Sequence, residues 1–324
     1  MTCTIYLCYT FYFALYPKLP NPGKPPVLYS NQCNVDLRLL AVSAMEQAKE
    51  SIHLVMFGLK ERSILQKLIK KSSEDLVDCH IYYDPSASPR FRKINSHFFP
   101  HPVPSRGLMH QKILVIDEAM VFLGSANMTK SSLEMHDNLV IGMVSPKIAR
   151  FLTSRTPYKS GHIKTLVGSQ WVELYLLPDP RGYAIQAIKD RIREAKKSLQ
   201  VAMFTFTHPA LVDAIIDAQT RGVKVTVAID KNAWLGSSHA AIKRLEHAGI
   251  DVMVNTGSSL LHHKFLWVDG RHLILGSANW TKSAFYKNQD SFLILHNMSD
   301  EQKNLMRSLW RRLIRSDKAK STRP

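Results

Sequence analysis

The sequence predicts an α/β chain of two tandem domains related by a pseudo-twofold axis, each a mixed β-sheet flanked by helices, with one active site shared at their interface. Three observations carry this reading. First, Leu108–Asn127 (LMHQKILVIDEAMVFLGSAN) returns as Leu260–Asn279 (LLHHKFLWVDGRHLILGSAN). His110, Lys112, Asp117, Gly124, Ser125 and Asn127 each stand 152 residues before His262, Lys264, Asp269, Gly276, Ser277 and Asn279. Second, Ala48–Phe57 (AKESIHLVMF) matches Ala195–Phe204 (AKKSLQVAMF) at an offset of 147, so the duplication reaches beyond the motifs. The five extra residues of the second copy fall among Lys231–Gly249. Third, strand and helix patterns alternate in the same order in both copies, as in sheets covered by helices. A repeat of about 150 residues is itself the size of a domain.

The elements follow in order. Residues 1–26 form an apolar segment and a Pro-rich linker, PKLPNPGKPP. Thr2–Tyr16 is uncharged and, at about 15 residues, short of the ~20 that span a bilayer. It reads as a signal core lacking a basic start, a membrane-dipping anchor or a buried strand. The first domain, 27–155, begins with Asp36–Glu50, where Leu37, Leu39, Leu40, Ala44, Met45 and Ala48 stand at helical spacing. Ser51–Leu59 is an apolar strand, Ile64–Lys71 a short basic helix and Asp78–Tyr83 a strand. The motif hairpin, a strand over Asn138–Val144 and a helix over Pro146–Thr153 close the unit. A polar junction, 156–170, shows no clear periodicity. The second domain, 171–315, repeats the order: helix Tyr183–Lys197, strand Leu199–Phe206, helix Ala210–Thr220 and strand Val223–Asp230. Helix Ser238–Ala248 and strand Asp251–Asn255 precede its hairpin; strand Phe292–His296 and helix Ser299–Arg315 follow it. Gly222 and Gly249 stop the helices before them, and 316–324 is a basic tail.

Each motif reads as a strand, because ILVI and FLWV are β-branched and aromatic runs. Residues two apart on a strand share a face, so His110 lies beside Lys112 and His262 beside Lys264. Asp117 and Asp269, an odd number of residues away, point elsewhere and read as structural members of the motif. Asp269-Gly270 is a hairpin turn, and the returning strands bring Ser125, Asn127, Ser277 and Asn279 back toward the histidines. An acid trails each copy: Asp137, 27 residues after His110, and Asp290, 28 after His262. His263 faces away from the motif and reads as structural. Asp84 and Asp230 end equivalent strands and read as turn residues.

Two H-x-K-x4-D motifs, two G-S-x-N turns and two trailing acids resemble the phospholipase D superfamily, from about Asn34 to about Arg315. The second half, HHKFLWVDG…GSANWTKSAFYKNQDSF, is similar to its small bacterial nuclease branch. The resemblance implies two phospholipase D-like domains, with His110, Lys112, Asp117, His262, Lys264 and Asp269 as the catalytic motif residues. Ser125, Asn127, Asp137, Ser277, Asn279 and Asp290 are then phosphate-binding or orienting residues.

Those residue types suit phosphodiester cleavage. The reaction needs an in-line nucleophile, an acid for the leaving oxygen and fixed positive charge around phosphorus. Two imidazoles and two ammonium groups supply all of these with no cofactor and no metal. Asp137 and Asp290 are placed to accept Nδ1–H of a histidine. The resemblance adds a covalent phosphohistidine, with His110 as nucleophile and His262 as acid; the near symmetry of the motifs leaves that order open.

A formal charge of +17 and a pI near 9.7 call for an anionic partner (nucleic acid, an anionic membrane surface or a phosphorylated substrate), and the resemblance implies that the substrate is a phosphodiester. Phospholipid hydrolysis to phosphatidate and head group is favoured by the two-motif chain, the apolar start and the basic last helix. That helix carries Lys303, Arg307, Arg311, Arg312 and Arg315 among Leu305, Leu309, Trp310 and Leu313. It reads as packed on the domain with a solvated basic face, or as lying on an anionic membrane. A metal-independent endonuclease is the alternative, with Trp234, Trp280 and Phe285 available for stacking; a non-catalytic phosphate-binding module is a third. Cys3, Cys8, Cys33 and Cys79 form no C-x-x-C pair, so no zinc site or disulfide framework follows. The chain is expected to act as a monomer, at a membrane surface or after export.

Overall fold

The computed structural model describes residues 17–155, 159–257 and 259–321, with side chains of the last helix as far as Ile314. The readings placed on Thr2–Tyr16 lie outside the described residues.

The first unit runs β1 (Val27–Tyr29), a 3-10 turn (Asn31–Cys33), α1 (Leu37–Glu46), β2 (Ser51–Met56), α2 (Arg62–Ser73), β3 (Asp78–Tyr83) and β4 (Phe98–Pro102). The motif hairpin β5 (Lys112–Ile116) and β6 (Met120–Gly124), then α3 (Lys130–Glu134), β7 (Val140–Val144) and α4 (Pro146–Thr153), complete it. The second unit adds β8 (Gly161–Val167) and β9 (Gln170–Leu176) before α5 (Tyr183–Glu194) and β10 (Ser198–Met203). There follow α6 (Pro209–Thr220), β11 (Lys224–Asp230), α7 (Lys231–Leu235), α8 (His239–His247) and β12 (Asp251–Asn255). Hairpin β13 (Lys264–Val268) and β14 (His272–Gly276), then α9 (Lys282–Tyr286), β15 (Ser291–Leu295) and α10 (Asp300–Ser321), end the chain.

Among the described residues the sheets have the orders β1-β7-β6-β5-β2-β3-β4 and β12-β11-β10-β13-β14-β15-β9-β8. Both are mixed. β2, β3 and β4 are parallel, as are β10, β11 and β12, while each motif hairpin pairs antiparallel with β2 or β10. The expected fold class is what the structure has. Residues 161–167, read as part of a junction, are instead a strand paired with β9 along its whole length. The last helix also runs six residues past its expected end, to Ser321.

The two sheets share one central core. Ile113 and Val115 of β5 meet it from one side, and Phe265 and Trp267 of β13 from the other. The alternate residues Leu114 and Ile116 face an outer core under α1 and α2; Leu266 and Val268 face its counterpart under α5, α6 and α8. This explains the unbroken apolar runs of the motif strands, which are buried on both faces. Met306, Leu309, Trp310 and Leu313 of α10 join the central core while Arg307, Arg311 and Arg312 stay exposed. Gln302 of α10 donates to the Pro26 carbonyl at 2.6 Å, so the last helix clasps the first unit.

Candidate active site

Each motif hairpin is pinned at the end far from its histidine. Asp117 and Glu118 have φ of 49° and 46°, and Asp269 and Gly270 have 51° and 65°, the double left-handed turn that suits a tight hairpin. The Asp117 carboxylate accepts the backbone N–H of Lys49, Glu50 and Ser51 at 2.8–2.9 Å, and Asp269 those of Lys196, Lys197 and Ser198 at 2.8 Å. The aspartates therefore tie the hairpin to the start of β2 or β10. Burial would raise the Asp269 carboxyl, but those N–H groups hold it below its usual value.

The other end is set by close strand contact. A Cβ on Gly124 would lie 2.3 Å from the Leu139 carbonyl oxygen, and one on Gly276 2.2 Å from that of Ser291. Only glycine lets the strands approach there, which is why the motif reads Gly-Ser. The strand-end aspartates fix the approach to each histidine: Asp84 accepts from Met109 N at 3.0 Å and Asp230 from Leu261 N at 3.1 Å. Asp84 directly follows β3 and Asp230 is the last residue of β11 and caps α7, so both close their strands and hold the motif entry.

The halves then cross. Main-chain bridges join Met109 to Gln289 and Asp137 to Leu261, with His110 N donating to the Gln289 carbonyl and His262 N to that of Asp137. Through this exchange each histidine reaches the other half. Nδ1 of His110 is 2.8 Å from Asp290 Oδ1, and Nδ1 of His262 is 3.0 Å from Asn138 Oδ1. Ser277 Oγ donates to Asp290 at 2.7 Å and Ser125 Oγ to Asn138 at 2.8 Å. These serines are buried and orient the orienting groups.

The trailing acid of the first copy is a correction. Asp137 was expected to accept Nδ1–H of a histidine, but Asn138 does so. Asn138, not Asp137, is 152 residues before Asp290; counting that offset finds it, while searching for an acid does not. The Asp137 carboxyl is buried, and desolvation together with nearby Asp230 raises it to about 7 against an opposing Gln32 hydrogen bond.

Lys112 and Lys264 are buried, each donating to its own motif histidine's carbonyl and each lying over a phenylalanine ring, Phe57 at 5.2 Å and Phe204 at 5.0 Å. The same rings pack on His110 and His262. Phe57 and Phe204 were missed as site residues, although both close the AKxS…MF repeat. Burial lowers Lys112 to about 7, and burial with repulsion from Lys112 lowers Lys264 well below its ordinary value. His110 is lowered by burial and Lys112 against the pull of Asp290; His262 is lowered further, by burial, Lys264, Lys112 and His110. Asp290 is held low in spite of its burial by His110, Lys112 and Ser277. Four basic groups thus converge on a place that suits an anion. Asn127 accepts from Gly58 N at 3.3 Å, whereas Asn279 Oδ1 is buried without a partner. His263 points into the core as expected, 2.6 Å from Gln32.

Leu108, two residues before His110, and Tyr286, four before Asp290, are each 40% exposed, and Met135, three before Asn138, is 60% exposed; Gln289 N donates to the Leu108 carbonyl and Asp137 N to that of Leu260. Among the described residues no helix is long and apolar enough to cross a membrane.

Fold and site define a duplicated two-motif protein whose halves complete each other's histidines. Residues 41–155 and 188–312 both match the family described as cardiolipin synthase, PLD-like domain, and the chain belongs to that family. The mitochondrial cardiolipin hydrolase of Xenopus tropicalis is 39% identical over 100 residues, 31% of this chain and 47% of that protein. The chain thus spans about half the length of the curated relatives it matches. Phosphatidylserine synthase of Haemophilus influenzae shares the fold over 93% of this chain and 88% of its own, with a TM-score of 0.72 at 15% identity. Nuc of Salmonella typhimurium, a phospholipase D family member, is 27% identical over 44% of this chain and 93% of its own, with a TM-score of 0.40.

Proposed function

We propose that the chain is a phospholipase D-type phosphodiesterase that hydrolyses a phospholipid through a phosphohistidine, releasing phosphatidate and the head group. The observation that carries this reading is the reciprocal completion of two buried His–Lys pairs by Asp290 and Asn138 across the interface. Nε2 of one imidazole attacks phosphorus while Lys112 and Lys264 balance the charge on the non-bridging oxygens. The bond from phosphorus to the leaving oxygen breaks, and that oxygen takes a proton from Nε2 of the other imidazole. Water then attacks phosphorus, giving its proton back to that imidazole, and the N–P bond breaks to restore the nucleophile.

Exposed apolar Leu108, Met135 and Tyr286 and exposed Arg106 and Lys287, all close in sequence to the site's residues, support a phospholipid as the substrate. The name of the frog relative, a cardiolipin hydrolase, supports the same class. One chain supplies both motifs, so the active unit is a monomer working at an anionic membrane surface. The net charge of +17 makes single-stranded nucleic acid the second substrate to test.

The test compares wild type with His110→Ala in EDTA on vesicles of cardiolipin, vesicles of phosphatidylcholine and single-stranded DNA. The expected result is phospholipid turnover lost by at least about a thousandfold in the variant. DNA cleavage alone, lost in the variant, would replace the lipid reading with the nuclease one.

A further inference from the structure

The His, Lys, Ser and Asn of the motifs, and the Phe beneath each Lys, are the same in both halves. The groups behind the histidines are not. Asp290 and Asn138 are equivalent in sequence, fully buried and bonded to equivalent serines, yet one is a carboxylate and the other a carboxamide. We propose that Asn138 is a positioning residue that makes the histidines inequivalent: backed by Asn138, His262 carries the proton, and backed by Asp290, His110 is the residue phosphorylated. This rests on the phosphodiesterase reading above.

Consider first the histidine that becomes phosphorylated. As its Nε2–P bond forms, the ring gains positive charge that extends to Nδ1–H. Beside His110 that hydrogen meets the Asp290 carboxylate at 2.8 Å, a charge-assisted bond that strengthens as the charge develops. Beside His262 it would meet a neutral oxygen, with Lys264, Lys112, His110 and His136 as charged or titratable neighbours. A permanent ring charge there would be buried with no carboxylate bonded to the ring among the described residues; Asp137 meets His262 N through its carbonyl, and Asp230 meets the neighbouring Leu261 N.

The proton carrier has different needs. It must keep one tautomer, and it must release a proton readily. The Asn138 amide cannot turn over, because Nδ2 donates to the Ser132 and His136 carbonyls at 2.7 and 3.1 Å while Oδ1 accepts from Ser125. Its oxygen therefore faces His262, Nδ1 keeps its hydrogen, and Nε2 alone exchanges a proton with the leaving group and then with water. A neutral partner leaves the imidazolium a stronger acid than a carboxylate would. The anionic diester between the lysines supplies the charge that favours protonation when it is needed.

The experiment uses the full chain as wild type, Asn138→Asp, Asp290→Asn and the double exchange. Each is mixed with a short-chain phospholipid, quenched in alkaline denaturant and mapped for phosphohistidine by peptide mass spectrometry; kcat is followed against pH. In wild type the phosphoryl group is expected on His110 alone, a result that needs no variant to fold. Asn138→Asp should move the alkaline limb of kcat up by about one pH unit or more, because a carboxylate beside His262 favours its protonated form. Asp290→Asn should lower kcat by about a hundredfold or more, and the double exchange should move the label to His262. Wild-type turnover with label on His262, or shared equally, overturns the assignment and leaves the reaction standing. So does an unmoved pH limb in folded Asn138→Asp. A wild type with no label and no turnover of any phosphodiester overturns the reaction and the assignment together.

Discussion

Asp137 holds a buried carboxyl one residue from the group that orients His262, and its own chemistry works against the fold. Its pKa is near 7 in the folded chain, above the ordinary 3.8. Between those values the folded chain holds a proton that the unfolded chain has released. Stability from this group is therefore complete below pH ~4, declines as pH rises through ~7 and stays reduced above it. Asp137→Asn should remove the deficit. Denaturant melts should show the variant more stable by on the order of 1–3 kcal/mol at pH 8 and level with wild type at pH 4; equal melts at both pH values would sink this reading. The same position shows where residue-level reading fails. His110, Lys112, His262 and Lys264 were legible because repeated chemistry at one offset is specific. Asn138 stands at that same offset from Asp290, but an amide carries no signal as an orienting group until the histidine facing it is seen.

At the scale of elements, the motif hairpin is a rigid lever between a structural and a chemical end. Asp117 anchors one end with three N–H bonds from outside the hairpin and occupies a left-handed turn that alanine disfavours. Asp117→Ala should cost about 2–4 kcal/mol of stability, given the size of charge-assisted bonds at a partly exposed site. Its kcat, measured well below melting, should stay within about threefold of wild type. A loss of kcat as large as that of His110→Ala would mean that the aspartate belongs to the chemistry after all. Sequence periodicity found the motif strands and those beside them because their residues are apolar on both faces. It missed β1, β4, β8 and β9: the first three are edges, while β9 lies inside the second sheet, where Trp171 and Glu173 interrupt its apolar run. β4 carries Pro100 and Pro102, which an edge tolerates. In β8 exposed His162, Lys164 and Leu166 alternate with more buried neighbours, which reads as polar linker in a short window.

At the scale of the molecule, duplication foretold two sheets and a shared site, but not which faces would meet. The face-to-face core and the clasp of α10 on the first unit depend on long-range complementarity that no local window contains. What the assembled molecule adds is exposed apolar surface close in sequence to the site, at Leu108 two residues before His110, at Tyr286 four before Asp290 and at Met135 three before Asn138. If that surface meets a bilayer, two effects should separate. Binding to anionic vesicles should weaken as salt rises, because exposed Lys and Arg are screened. Apolar insertion should persist, since each fully buried large side chain contributes about 1.5–3 kcal/mol. Leu108→Asp combined with Tyr286→Asp, partly inserted side chains together contributing about 2 kcal/mol, should lower turnover of vesicle phospholipid by about thirtyfold. The same variant should keep kcat on a small soluble phosphodiester, such as bis(p-nitrophenyl) phosphate, within about threefold. Equal losses on both substrates would place the two side chains in the service of the histidines, and the membrane-facing surface would have to be sought elsewhere.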